Sequence, residues 1–509
     1  MSDKDIHRLP RASGVLAHPT SLPGPHGIGD LGQDAYRFVD FLASARQRVW
    51  QVLPLGQPGH GDSPYAALSA FAGNPLLISL NRLADEGLLE RSDLADADFS
   101  ADSVDYRAVR DYKWARLRRA YERFAAAGTP GMRADFAAFR EGEQAWLSDY
   151  ALFMAVKEAN GGVSWNQFAP ELARREPTAL AEARERYADA VATNEFVQYQ
   201  FFRQWLALKQ YANSKGVRLL GDIPIFVAYD SADVWANQGL FHLDARGNPT
   251  VVAGVPPDIF SATGQRWGNP LYRWKVLAET GYAWWVERFR QMLAAVDVVR
   301  LDHFRGFAAY WEVPAREKTA QHGRWVKGPG AALFESATKA LGRLPIVVED
   351  LGLITADVIA LREQLGYPGM KVLQFAFGDD ARNPYLPHNY LPNFVVYTGT
   401  HDNDTTLGWF RSLPDWQRNN LLGYLGRDGH DIVWDLIRLA LQSVADTAVF
   451  PLQDVLALGN EARMNFPGRA EGNWRWRVRV DQLRPEIAGR LADLVVRYGR
   501  AGKESFPTR

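Results

Sequence analysis

The chain has 509 residues, and its 58 Lys and Arg balance 59 Asp and Glu to a net charge of −1, which excludes a strongly basic nucleic-acid binder and a polybasic membrane anchor. Cysteine is absent, which removes disulfides, thiolate metal sites and cysteine nucleophiles. Residues 1–14 lack the apolar core of a signal peptide, and no window reaches the ~18 apolar residues of a membrane helix, so a cytoplasmic globular protein is expected.

Taken in chain order, short apolar runs rich in Val, Ile and Leu recur at 14–18, 49–55, 217–222, 297–302, 344–349, 370–375, 394–400 and 448–453. Runs this continuous read as strands buried on both faces. Helical patterns separate many of them, at 34–45, 272–295, 355–365, 430–445 and 485–500. Eight strands alternating with helices predict an α/β fold, a (β/α)8 TIM barrel, with a doubly wound sheet as the alternative. A barrel takes ~250 residues, so about half the chain is insertion. Residues 66–215, after strand 2, read as a mainly helical insertion, with helical pattern over Tyr106–Ala127 and 178–214. Residues 228–271, after strand 3, read as a loop-rich insertion, and 251–270 carries Gly, Pro and polar residues throughout. Loops after barrel strands lie at the C-terminal face, where they wall or cover a cleft.

Three strand ends carry carboxylates: Val298-Val-Arg-Leu-Asp302-His-Phe-Arg-Gly306, Ile346-Val-Val-Glu349-Asp-Leu-Gly352 and Val395-Val-Tyr-Thr-Gly-Thr-His401-Asp402-Asn-Asp-Thr405. In a barrel these ends converge on one pocket. Two carboxyl groups at the right distance are what cleavage of a glycosidic bond requires. Arg300 lies two residues before Asp302, on the same strand face, where it can orient that carboxylate. A lone Asp at a strand end more often caps a turn or helix. Three together, each beside another polar group, argue against capping alone. Asp222, in Gly221-Asp-Ile-Pro-Ile-Phe226, fits two readings equally, lining the cleft or bracing the strand–loop junction.

Other chemistries find less support. No ligand cluster of zinc-like spacing accompanies His401-Asp-Asn-Asp404, so no metal is expected. The glycine-rich segments 56–61 and 328–330 match neither the phosphate loop nor the dinucleotide fingerprint, and no Gly-x-Ser-x-Gly elbow is present.

At these residues the sequence resembles the amylomaltases, the 4-α-glucanotransferases of glycoside hydrolase family 77. The resemblance runs from Ser13-Gly-Val-Leu and His60-Gly-Asp-Ser-Pro-Tyr65 through Gly254-Val-Pro-Pro to Asn465-Phe-Pro-Gly and Asn473-Trp474. The Arg-Leu-Asp-His-Phe-Arg-Gly and Thr-His-Asp-Asn-Asp-Thr motifs resemble the wider α-amylase clan. The loop Pro256-Pro-Asp-Ile-Phe-Ser-Ala-Thr-Gly-Gln-Arg-Trp-Gly-Asn-Pro270 is more specific to the family.

The resemblance implies Asp302 as nucleophile, Glu349 as general acid/base and Asp402 as a third carboxylate that binds sugar hydroxyls, with Arg300 and His401 in support. It implies a substrate cleft formed by segments holding Tyr65, Asp222, Asp258, Ser261, Gln265 and Trp267. Relatives often have an aromatic residue where this chain has Ile259, so stacking at that position is in question. No cofactor and no calcium are implied. After residue 453 the chain has room for helices and none for the β-sandwich that α-amylases append.

The expected activity is transfer of an α-1,4-glucan segment to the 4-hydroxyl of another glucan or glucose, by a retaining double displacement through a glycosyl-enzyme. The partners are α-1,4-glucans and maltooligosaccharides, with no nucleic acid or membrane. Phe260 and Trp267 are the expected lid residues that disfavour water. A plain α-1,4-glucan hydrolase and a non-catalytic glucan-binding barrel are the alternatives.

Overall fold

The computed structural model describes residues 8–258, 261–469 and 471–502. Eight parallel strands form its centre: β1 (Ala12–Leu16), β2 (Val49–Gln51), β3 (Arg218–Ile223), β4 (Val298–Leu301), β5 (Ile346–Val348), β6 (Gly369–Val372), β7 (Phe394–Tyr397) and β8 (Thr447–Pro451). They run in the order β6-β7-β8-β1-β2-β3-β4-β5. Closure between β5 and β6 rests on few bonds. Val348 N–H donates to Pro368 C=O at 2.9 Å, and Met370 N–H donates to the Asp350 carboxylate at 2.7 Å. A ring of this kind is the (β/α)8 barrel, and the doubly wound alternative falls because an open sheet has no such closing bonds.

The eight apolar runs of the sequence each hold one barrel strand, but the boundaries shift. β1 begins at Ala12 because Ala12 and Ser13 already pair with Thr447 and Ala448 of β8, while Ser13, buried but polar, interrupts the apolar pattern. β2 stops at Gln51, and 52–55 stay buried while leading into the loop. Asp302 and Glu349 sit one residue beyond the strands that carry them, yet their N–H groups still donate across the barrel, to Ile223 and Leu301 C=O.

Between β2 and β3 the chain forms several helices, among them α1 (Tyr106–Ala127), α2 (Gln144–Ala159) and α3 (Ala188–Ser214). Asp105 caps α1 by accepting the N–H groups of Arg107 and Ala108. The helical run expected over 178–214 breaks at Tyr187, which separates Pro177–Arg186 from α3. α3 packs through Phe196, Val197, Phe201 and Trp205, and its buried glutamines bind the segment beneath it. Gln198 exchanges two hydrogen bonds with Gly73 and Gln204 two with Ser79. These bonds satisfy loop groups that burial would otherwise leave without partners.

A second sheet stands over the barrel mouth. Its antiparallel order is Gln265–Pro270, Val251–Val255, Ala309–Pro314, Arg324–Lys327. The segment 251–270, which reads as loop in the sequence, therefore contains a hairpin. Gly254, Asn269 and Pro270 hide its β pattern, and its partner strand comes from after β4. Among the described residues no helix is long and apolar enough to cross a membrane.

At the opposite, N-terminal end of the barrel, Arg500 is fully buried. Its guanidinium donates to the carbonyls of Ala12 and Asp446 beside β1 and β8, and to those of Ala440, Leu441, Ser443 and Ala445. Replacing it removes all six of these bonds at once, although Arg11 also donates to the Leu441, Ser443 and Ala445 carbonyls. Arg500→Met is therefore expected to destabilise the protein by about 3 kcal/mol or more. Urea unfolding measures this, and a loss below about 1 kcal/mol would show that the carbonyls find other donors.

Candidate active site

The site is built on one buried cation. Arg300 lies inside the barrel on β4, and its Nη1 donates to both oxygens of Asp222 at 2.8 and 2.7 Å. The same nitrogen is 3.0 Å from Asp302 Oδ1. Tyr65 donates its hydroxyl to Asp222 Oδ2 at 2.7 Å. Asp222 is fully buried, whereas the Asp302 side chain keeps 28% of its exposure and opens to the cleft. Burial raises the Asp222 pKa above the usual range, against the opposing pull of Arg300. Burial works against the charge on Arg300, but Asp222 and Asp302 override it and hold its pKa above the ordinary value.

Glu349 is held by main-chain donors. His303 N–H donates to Oε2 at 2.8 Å and Leu351 N–H to Oε1 at 2.7 Å. His303 takes a left-handed conformation, φ 51°, which non-glycine residues rarely adopt. Burial, and then the charge of Asp302, push the Glu349 carboxyl up to about 8, while Arg300 and the two N–H groups pull the other way. The two strand-end carboxyls thus differ in their surroundings: one lies against a guanidinium, the other is desolvated beside a negative charge.

Asp402 sits across the cleft, half exposed. Its Oδ1 accepts from Asn465 Nδ2 at 2.6 Å and lies 3.4 Å from His401 Nε2, while its carbonyl accepts from Arg463 at 2.9 Å. Tyr65 stacks on His401 with ring centroids 5.1 Å apart, and Trp474 lies about 6 Å from both rings, at 6.1 and 5.9 Å. Tyr65 therefore links the Asp222–Arg300–Asp302 group to the His401–Asp402 group. His18, buried behind His401, has its pKa lowered to about 3 by burial and by that neighbour.

The residues of segment 228–271 are less connected. Trp267 is 39% exposed and meets the His303 ring edge-on at 4.8 Å, one residue from Asp302. Asp258, Ser261 and Gln265 bond within that segment: Ser261 N–H to Asp258, Ser261 Oγ to Gly264 C=O, and Trp267 Nε1 to Gln265 Oε1. Ile259 and Phe260 lie outside the described residues. Sequence reasoning passed over Asn465, Trp474 and His303 as individual site residues. All three lie in motif segments of the sequence, but a positive φ at His303 leaves no mark on residue type. Among the described residues no three His, Asp or Glu side chains are grouped to hold a metal ion.

In the unfolded chain a glutamate ionises near pH 4.3, whereas Glu349 in the fold keeps its proton up to about 8. Between these values unfolding releases a proton, so this residue's contribution to stability falls as pH rises. Glu349→Gln removes the effect. The Tm of the variant relative to wild type is expected to rise between pH 5 and pH 8, and a constant difference would mean an ordinary carboxyl.

A family model for glycoside hydrolase family 77, the 4-alpha-glucanotransferases, matches residues 17–482. The chain is 54% identical over 491 residues to the 4-alpha-glucanotransferase of Thermus thermophilus, covering 95% of this chain and 98% of that one. It is 52% identical over 495 residues to the 4-alpha-glucanotransferase of Synechocystis, covering 96% and 98%. Its structure superposes on the amylomaltase of Streptococcus agalactiae in complex with acarbose with a TM-score of 0.94, at 38% identity and coverage of 96% and 99%.

Proposed function

Because the chain belongs to glycoside hydrolase family 77 and is an enzyme of the 4-alpha-glucanotransferase type, we propose that it works by a retaining double displacement on Asp302 and Glu349. The observation that carries this reading is the contrast between the two groups, an aspartate against Arg300 and a glutamate whose proton is retained to about pH 8. The Asp302 carboxylate attacks the anomeric carbon of an α-1,4-glucan. As the C–O bond breaks, Glu349 gives its proton to the departing 4-oxygen, and a covalent glycosyl-enzyme remains. Glu349, now a carboxylate, takes the proton of an incoming 4-hydroxyl, whose oxygen displaces Asp302 and restores both groups.

Arg300 holds Asp302 in line, and Asp222 with Tyr65 holds Arg300. Asp402, with Asn465 and His401, receives sugar hydroxyls and favours the distorted, oxocarbenium-like state. Segment 228–271 acts as the lid, in which Trp267 shields the glycosyl-enzyme from water so that a sugar hydroxyl is the usual acceptor. The helical segment 66–215 walls the cleft, and Asp258, Ser261 and Gln265 line it from the lid. Substrates are α-1,4-glucans and maltooligosaccharides of the cytoplasm, a reading supported by the acarbose complex of the similar amylomaltase from Streptococcus agalactiae.

Incubation with maltotriose is expected to give glucose together with maltopentaose and longer chains at a nearly constant count of reducing ends. A rising count would make the enzyme a hydrolase instead. Asp302→Asn is expected to lower kcat by at least about 10³-fold while acarbose still binds. A near-wild-type rate would remove Asp302 as nucleophile.

Glu349 must be protonated to start the reaction, so kcat/KM is expected to fall as pH rises through about 8. Glu349→Gln is expected to slow transfer by about 10²–10⁴-fold and to abolish that alkaline limb.

A further inference from the structure

Asp454 lies in the short helix Leu452–Val455 that follows β8 and is 1% exposed. It touches neither His401 nor Asp402, but it grips the loop that carries them at both ends. Thr398, the residue after β7, donates its hydroxyl to Asp454 Oδ2 at 2.6 Å. Thr406, the first residue of the helix Thr406–Ser412, donates its N–H to Oδ1 at 2.7 Å and its hydroxyl to Oδ2 at 2.7 Å. All three groups donate to the carboxylate, and with an amide in its place the two hydroxyls would have to reverse and accept from its NH2.

The loop between these two threonines is otherwise held from the side. Asn403 accepts from Thr400 N–H at 2.9 Å, and Gln374 donates to Asp404 C=O at 2.9 Å. Asp402 itself is held by Asn465 and Arg463, on the chain just downstream of Asp454. That downstream chain turns back on the same short helix, through Leu458 N–H to Gln453 C=O and Gln453 Nε2 to Ala462 C=O. One buried carboxylate therefore stands at the common root of the loop that bears Asp402 and of the segment that holds its side chain.

We propose that Asp454 is a positioning residue for transfer: by fixing both ends of the 398–406 loop it sets where Asp402 meets the sugar. The inference rests on the reading of Asp402 as the third carboxylate. Asp454 never contacts substrate, so its effect passes through Asp402. Misplacement of a reacting group by about 1 Å can cost on the order of 10²-fold in rate.

The test is a double-mutant cycle on the full chain with Asp454→Asn, Asp402→Asn and both together, read by maltotriose kinetics and by acarbose affinity. Asp454→Asn is expected to lower kcat by about 10- to 100-fold with KM changed less than about threefold. In the Asp402→Asn background the same change is expected to cost less than about twofold, in rate and in acarbose affinity alike, because the group it positions is already gone.

Equal losses in the two backgrounds, or a wild-type kcat in Asp454→Asn, would overturn the inference while leaving the role of Asp402 intact. A wild-type kcat in Asp402→Asn would instead overturn that role and the inference with it. If Asp454→Asn does not fold, Thr398→Val and Thr406→Val serve in the same cycle, since each removes one donor and leaves the carboxylate in place. Each is expected to show the same dependence on Asp402, and additive losses would again overturn the proposal.

Discussion

A guanidinium enclosed by carboxylates is the interaction on which the site depends. Arg300 lies inside the barrel, where an unpaired charge would be strongly disfavoured, and Asp222 and Asp302 flank it on neighbouring strand ends. Each charge makes the others tolerable. Tyr65 completes the group from a loop of another strand, and its ring carries the contact onward to His401. Glu349 meets no cation at hydrogen-bond range among the described residues and is held by two peptide N–H groups instead. Its high proton affinity follows from burial beside Asp302.

The barrel matters because it lets several strands deliver such groups to one point. Asp222, Asp302 and Glu349 come from β3, β4 and β5, whose adjacency is set by ladder bonds between parallel strands. Asp402 comes from β7, on the far side, and its loop needs more support because it extends further beyond the strand. Asp454, Asn465 and Arg463, all from after β8, supply that support. The second sheet then brings Trp267 against His303, the residue whose N–H binds the Glu349 carboxyl.

The sequence made the main elements legible because their signals are local. Buried parallel strands are nearly continuous apolar runs, and all eight stand out. The carboxylates at their ends stand out for the same reason, as polar residues that terminate apolar runs. The hairpin within 251–270 did not stand out, because its strands carry glycine, proline and asparagine and owe their order to Ala309–Pro314. The break at Tyr187 was equally hidden, since helical periodicity continues across it. Asn465 and Asp454 are ordinary polar residues in sequence. Their significance comes from partners 63 and 48–56 positions away.

By itself, then, the sequence determined the barrel and the family and pointed to the strand-end carboxyl groups, since apolar runs and motif residues are written one position after another. Only the tertiary structure decided which carboxyl lies against a cation and which is left to hold a proton, how the ring closes at Asp350, and which distant side chains hold Asp402. Those outcomes depend on burial and on distances of about 3 Å between residues far apart in the chain. No single stretch of sequence encodes them, because an ionisable side chain takes its behaviour from what surrounds it once folded.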